Sequence, residues 1–254
     1  MAEPSVQRRR AWVTGAGTGI GRALAKRLAE EGWDVAVSAR TTGDLDSLVA
    51  EVPGRITAFP LDVTDTAANE KVVASIESAL GPLDLAVLNA GSYFPVRAQN
   101  FSAANFKKTV DVNLNGTANG LAALLPRMVD RKAGHVAVMA SVAGFVGLPN
   151  ASTYAATKAG LNAMCESLKV ELEPFGVTLT VINPGFVKTP LTDKNTFPMP
   201  FLIPLEQATD AIMRGLERKK YEIIFPWQMA ILMKLLRILP HRLQFAITRR
   251  MVER

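Results

Sequence analysis

The chain predicts a single α/β domain: one doubly wound parallel sheet with helices on both faces, followed by a C-terminal helical extension. Short apolar runs rich in β-formers alternate with amphipathic segments over most of the 254 residues. The strand runs are apolar almost throughout, as in parallel sheets covered on both sides. A glycine-rich turn, Thr14 to Gly21, joins the first run to the first amphipathic segment.

Taken in order, strands are expected at 11–14, 35–39, 56–61, 83–89, 135–140, 177–183 and 222–225. Between them, 3.6-residue periodicity predicts helices at 20–31, 45–51, 67–80, 104–130, 152–174 and 206–219. Turn signals separate the elements at Gly32, Gly54, Gly81-Pro82, Gly134 and Gly176, and no internal repeat or two-domain split is visible. Right-handed crossovers then gather the loops that follow the strands on one sheet edge, where open α/β sheets bind ligands.

Composition narrows the function. With 48% hydrophobic and 20% charged residues the chain is an ordinary globular protein rather than a disordered one. Its single cysteine, Cys165, excludes an internal disulfide and any zinc-type spacing, and reads as a packing residue. The histidines His135 and His241, together with Asn119, Glu166, Glu171 and Glu173, form no metal or hydrolytic pattern. Met1 to Arg10 lacks the apolar stretch of a secretory signal, which predicts a cytoplasmic protein. Of the net charge of +6, most comes from the tail, where Lys234, Arg237, Arg242, Arg249, Arg250 and Arg254 stand against Glu253. The remainder is nearly neutral, so nucleic acid is not an expected partner.

Chemistry concentrates at Tyr154 and Lys158, with Ser141 upstream. The i,i+4 spacing sets phenol and ammonium on one helix face, with Cβ atoms roughly 5–6 Å apart. The cation is expected to lower the phenol's pKa and fit it for proton transfer. The glycine turn presents backbone N–H groups and a helix N-terminus to a phosphate. Its glycines, Gly15, Gly19 and Gly21, are not spaced as in the commonest dinucleotide fingerprint.

From about Arg10 to Thr192 the chain resembles the short-chain dehydrogenase/reductase (SDR) family, which has a Rossmann-type fold. The motifs that carry the resemblance come in order: the turn of Gly15, Gly17, Thr18, Gly19, Ile20 and Gly21; Asp62-Val63; Asn89-Ala90-Gly91; Asn113; Ser141; Tyr154 with Lys158; and Pro184-Gly185 with Val187 and Thr189. The resemblance implies that Asp62 and Val63 meet the adenine and that Asn89, Ala90 and Gly91 pass the adenosine ribose. It places Pro184, Gly185, Val187 and Thr189 around the nicotinamide amide and pyrophosphate. It makes Tyr154 the acid/base, Ser141 the group orienting the substrate oxygen, Lys158 the tuner of Tyr154 and holder of the nicotinamide ribose, and Asn113 the anchor of a proton relay.

NADP(H) is favoured over NAD(H). An acid that would accept from the ribose 2′-hydroxyl is missing after the second strand, which ends Ser38-Ala39-Arg40, and Arg40 offers a planar fork to a 2′-phosphate. Asp44 is the alternative acid, a few residues further on. The expected reaction is hydride transfer between NADP(H) and a ketone, aldehyde or alcohol, with an apolar substrate. A 3-oxoacyl-carrier-protein reductase is one alternative, disfavoured because Val170 stands where those enzymes usually carry an arginine. A non-catalytic dinucleotide-binding sensor or membrane-associated scaffold is the other.

The catalytic domain is taken as 1–225, with 190–205, rich in proline and carrying Phe197, Met199 and Phe201, as a substrate lid. Residues 226–254 form a basic amphipathic extension, broken at Pro240. Its apolar face is expected either to be covered by protein or to lie in a membrane interface, being too short to span a bilayer. The resemblance adds a homodimer or homotetramer through 104–130 and 152–174.

Overall fold

The computed structural model describes residues 8–195 and 197–252. Met1–Gln7 of the expected signal-free start, Thr196 of the expected lid, and Glu253 and Arg254 of the basic tail lie outside the described residues.

Seven strands, β1 (Arg10–Thr14), β2 (Asp34–Ser38), β3 (Ile56–Ala58), β4 (Leu85–Leu88), β5 (Gly134–Met139), β6 (Val177–Pro184) and β7 (Glu222–Phe225), form one parallel sheet in the order β3-β2-β1-β4-β5-β6-β7. The helices are α1 (Gly19–Glu30), α2 (Thr42–Glu51), α3 (Thr66–Leu80), α4 (Ala103–Val110), α5 (Gly116–Asp130), α6 (Ser152–Leu172), α7 (Leu205–Glu217), α8 (Trp227–Ile238) and α9 (His241–Thr248).

Strand alternation divides the core. Ala11, Val13, Val35 and Val37 face one layer with Leu24 and Leu28 of α1, Leu45 and Leu48 of α2 and Ile212 of α7. Trp12, Ala36, Ala86 and Val136 face the other, with Ile76 of α3, Leu124 and Met128 of α5, and Leu161 and Cys165 of α6. Both faces being covered, the strands can be apolar at every position. Chain order reverses between β1 and β4, which opens the crevice used below.

Several elements differ from the sequence expectation: α2 begins three residues earlier, at Thr42, and β4 spans only Leu85–Leu88 of the expected 83–89. The helix expected over 104–130 is interrupted by one π turn, Asp111–Asn115, between α4 and α5. The strand expected to reach residue 61 stops at Ala58. Phe59 and Leu61 still donate to Val37 and Ala39, and Pro60 between them faces the open edge of the sheet, where its missing N–H costs no ladder bond.

Candidate active site

The loops that leave the C-terminal ends of β1 to β6 converge on a cleft of about 430 Å³. At its glycine end, Thr14 fixes the turn: its hydroxyl accepts from the N–H groups of Asn89 and Ala90 at 3.0 and 3.1 Å. The Asn89 amide in turn donates to the carbonyls of Thr14 and Gly15. Gly15 has φ +65°, and a Cβ there would stand 2.8 Å from the Ala90 Cα. A Cβ on Gly21 would sit 2.4 Å from both the Gly15 oxygen and the Asn89 amide nitrogen. No side chain can replace either glycine without moving the turn. Thr18 begins α1 without a capping side-chain bond, and the first turn carries no acid, so its N–H groups remain for an anion. This donor set fits a dinucleotide pyrophosphate.

Gly15, Gly17, Thr18, Gly19 and Ile20 line the cleft, and so do Arg40, Asp62, Val63, Asn89, Ala90 and Gly91. Gly21 does not, because it is spent on packing against Asn89. Arg40 is exposed at the cleft edge, close enough to Asp62 to help hold that carboxyl below its ordinary pKa. The larger cause is the Thr64 N–H, which donates to Asp62 Oδ1 at 3.0 Å. Asp44, on the first turn of α2, also lines the cleft, with its carboxylate against Gly17.

At the other end, β5 delivers Ser141, and Pro184, Gly185, Val187 and Thr189 follow β6. Ser141 is buried; its hydroxyl accepts from the Ala143 N–H and donates to the Pro184 carbonyl. Tyr154 and Lys158 project from α6 into the same space. The Lys158 Nζ lies 5.5 Å from the Tyr154 ring centre and donates to the Met139 carbonyl at 2.6 Å. Tyr93 meets the Tyr154 ring edge-on at 5.1 Å.

The electrostatics differ from the expected lowering of the phenol's pKa by the ammonium. Burial pushes Tyr154 up to about 12; the Tyr93 phenol adds to this, and the Ser141 hydroxyl works against it. Burial also pulls Lys158 down to about 7. Desolvation of the charged form outweighs the attraction that the i,i+4 spacing promises. The spacing reveals proximity but not that Lys158 is buried and Tyr154 half-buried.

Asn113 is fully buried inside the π turn and does not line the cleft. Its Oδ1 accepts from the Ser92 N–H at 2.7 Å, and its amide donates to the Ser92 carbonyl and the Thr157 hydroxyl. It thereby ties the loop after β4 to the turn of α6 that carries Tyr154 and Lys158. A mid-helix π turn often marks a functional position, and here it is what aims Asn113 at both partners.

The segment over 190–205 is fixed at both ends. The Thr192 hydroxyl donates to the Val187 carbonyl at 2.6 Å; across a single bridge between Val187 and Ile203, the Lys188 N–H donates to the Ile203 carbonyl and the Ile203 N–H to the Phe186 carbonyl. Phe197 packs on Phe186 with ring centres 6.0 Å apart, whereas Phe201 and Leu202 stay exposed. On the far side of the Ser141 loop, Met229, Met233 and Leu236 of α8 pack on Val142 and Val146.

His135, expected at a strand end, is instead buried there; its Nε2 lies 2.8 Å from the Thr180 hydroxyl, which donates to the Lys220 carbonyl. Among the described residues no cluster of His, Cys, Asp and Glu could hold a metal ion. The residues least visible in the sequence are those that support others. Met139 acts through its carbonyl, and Ser92 and Thr157 through contacts with Asn113; none of them sits in a motif.

A parallel sheet in this order, with a glycine turn at its switch point and Ser, Tyr and Lys side chains beside it, defines a Rossmann-type oxidoreductase that uses a nicotinamide dinucleotide. Comparison narrows the class: residues 9–198 match the model of the short chain dehydrogenase family, and the chain belongs to that family. It is 40% identical over 254 residues to an uncharacterised oxidoreductase of Myxococcus xanthus, covering 99% of this chain and 100% of the relative. An uncharacterised oxidoreductase of Mycobacterium tuberculosis is 31% identical over 94% of this chain and 96% of its own length. Among solved structures, a short-chain dehydrogenase of Streptomyces avermitilis superposes with a TM-score of 0.79 at 28% identity, over 89% of this chain and 92% of that one. A short-chain dehydrogenase/reductase of Burkholderia phymatum, solved in complex with NAD, has the same fold with a TM-score of 0.83 at 22% identity, over 92% of this chain and 94% of that one.

Proposed function

We propose that the protein is an NADP(H)-dependent oxidoreductase that interconverts an apolar ketone or aldehyde and its alcohol. The observation that supports this most is the meeting of Ser141, Tyr154 and Lys158 at one end of the cleft, beside the loop after β6. The glycine turn, Asp62, Val63, Asn89, Ala90 and Gly91 hold the adenosine and pyrophosphate half, and Pro184, Gly185, Val187, Thr189 and Lys158 hold the nicotinamide half. When bound, the nicotinamide supplies or accepts the hydride. The Ser141 hydroxyl orients the substrate oxygen, and Tyr154 delivers the proton to it or removes one.

Arg40 is the basis for NADP(H). It is exposed at the cleft edge where the strand β2 ends without a carboxylate. Tyr93, Phe186 and Phe197 give the substrate side an aromatic character, and the 190–205 segment acts as its lid. We take the subunits to associate as a dimer or tetramer through α4, α5 and α6, where Phe106 and Val170 are exposed.

NADPH oxidation with a panel of ketones, aldehydes and quinones tests this. Tyr154→Phe should lose about 10²–10⁴-fold in turnover while retaining the dinucleotide. A wild type that binds NADPH yet is as inert as Tyr154→Phe toward every carbonyl would support a non-catalytic sensor instead. Arg40→Ala should weaken NADPH and spare NADH, and equal losses for both would remove the phosphate role.

A further inference from the structure

The tail has an unusual division of polarity. One side of α8, Met229, Met233 and Leu236, is buried on the catalytic body. On the other side Trp227, Ile231, Leu232, Leu235 and Ile238 face outward, Trp227 at 67% and Ile238 at 76% exposure. In α9 the polarity is inverted. Gln244 and Thr248 are the buried residues, with the Gln244 amide donating to the Leu236 carbonyl and the Thr248 hydroxyl to the Gln244 carbonyl. Leu243, Phe245 and Ile247 are left outside, followed by Met251. A helix that docks its polar residues inward and turns its apolar ones outward is arranged for surroundings other than water.

The charges nearby say which surroundings. Arg242, Arg249 and Arg250 are all exposed around α9, Arg237 lies over the Phe145 ring at 5.9 Å, and the described part of the tail carries no acidic residue beyond Phe225. Lys234 of α8 is paired with Glu222 of β7, but the arginines around α9 face no acid of the described tail, and an apolar face bordered by them is complementary to an anionic lipid surface, with the hydrocarbon taking the Leu, Ile and Phe side chains and the headgroups the arginines. A second copy of this chain would bring the same cations against one another. No described helix is long and apolar enough to cross a membrane, so the tail would lie in the interface.

We propose that α8 and α9 dock the protein on anionic membranes, lying flat in the headgroup region. Because the inner side of α8 packs on the loop that carries Ser141, docking brings the substrate end of the cleft to the bilayer, where apolar carbonyl compounds partition. That last step rests on the reading of the site under Proposed function; the docking itself does not.

Flotation with vesicles separates the two, since it needs no turnover. Wild type should float with vesicles of equal parts phosphatidylcholine and phosphatidylglycerol, and far less with phosphatidylcholine alone. The combined variant Arg242→Gln, Arg249→Gln, Arg250→Gln should bind about a hundredfold more weakly, at about fivefold per arginine. The variant Leu235→Glu, Ile238→Glu, Phe245→Ser changes only exposed positions, so its melting should stay cooperative while its flotation is lost. Wild type that fails to float, or an apolar variant that floats as well as wild type, overturns the proposal. So does a dimer in sedimentation that the apolar variant dissociates while wild type ignores vesicles, because the face would then belong to a second copy.

Discussion

Replacing Lys158 by methionine should stabilise the protein while abolishing turnover, and the gain should shrink as pH rises. Lys158 is only 3% exposed, and burial lowers its pKa from 10.5 to about 7. Below pH 7 both folded and unfolded lysine are protonated, and the full cost of burying the charge applies. At about 1.4 kcal/mol per pKa unit, that cost is about 5 kcal/mol. Between pH 7 and 10.5 the unfolded chain binds more protons than the folded one, so wild-type stability rises with pH. By pH 9 the remaining cost is about 2 kcal/mol.

Methionine has no charge to desolvate, but it leaves the Met139 carbonyl without its donor, a loss of about 1–3 kcal/mol that does not depend on pH. The stability gap between variant and wild type should therefore narrow by about 3 kcal/mol from pH 6 to pH 9, whatever that offset is. For a chain of this size this is on the order of 10 °C in Tm. Urea unfolding of both proteins at several pH values measures it directly. A gap that stays constant with pH, or widens, would refute the claim that Lys158 is buried at the cost of its charge.

Two other substitutions probe the supports of the site. Gly21→Ala places a Cβ 2.4 Å from the Gly15 oxygen and should cost about 1–3 kcal/mol in unfolding with weaker retention of NADPH by calorimetry; an unchanged Tm and affinity would mean the turn has room to give. Asn113→Leu strands the Ser92 N–H and carbonyl, each worth about 1–3 kcal/mol, and should lower Tm and kcat together, whereas a fall in kcat at unchanged Tm would argue that Asn113 acts on the chemistry and not through the Ser92 and Thr157 ties.

The sheet and the main site residues were legible because their signals are local. Val35 and Val37 lie in an unbroken apolar run, and Tyr154 and Lys158 are one helical turn apart. What stayed hidden depends on partners distant in sequence. The π turn at Asp111–Asn115 exists around an asparagine held by Ser92 and Thr157, which no window around residue 113 contains. Depth decides the Tyr154 and Lys158 pKa values, and depth is a property of the whole loop cluster. In α9 the buried positions are the polar Gln244 and Thr248, because α9 meets α8 through a hydrogen bond to the Leu236 carbonyl near the end of that helix.

Gly185 lies so close to α8 that a Cβ on it would stand 3.0 Å from Met229 and 3.2 Å from Pro226. The last helices are thus fastened to the loop that follows β6 and do not hang from β7 as a detachable appendage. Shortening the gene after Phe225 would uncover Val142, Val146 and Gly185 at once, and a truncated protein that lost activity would reveal a collapsed wall, not a missing tether.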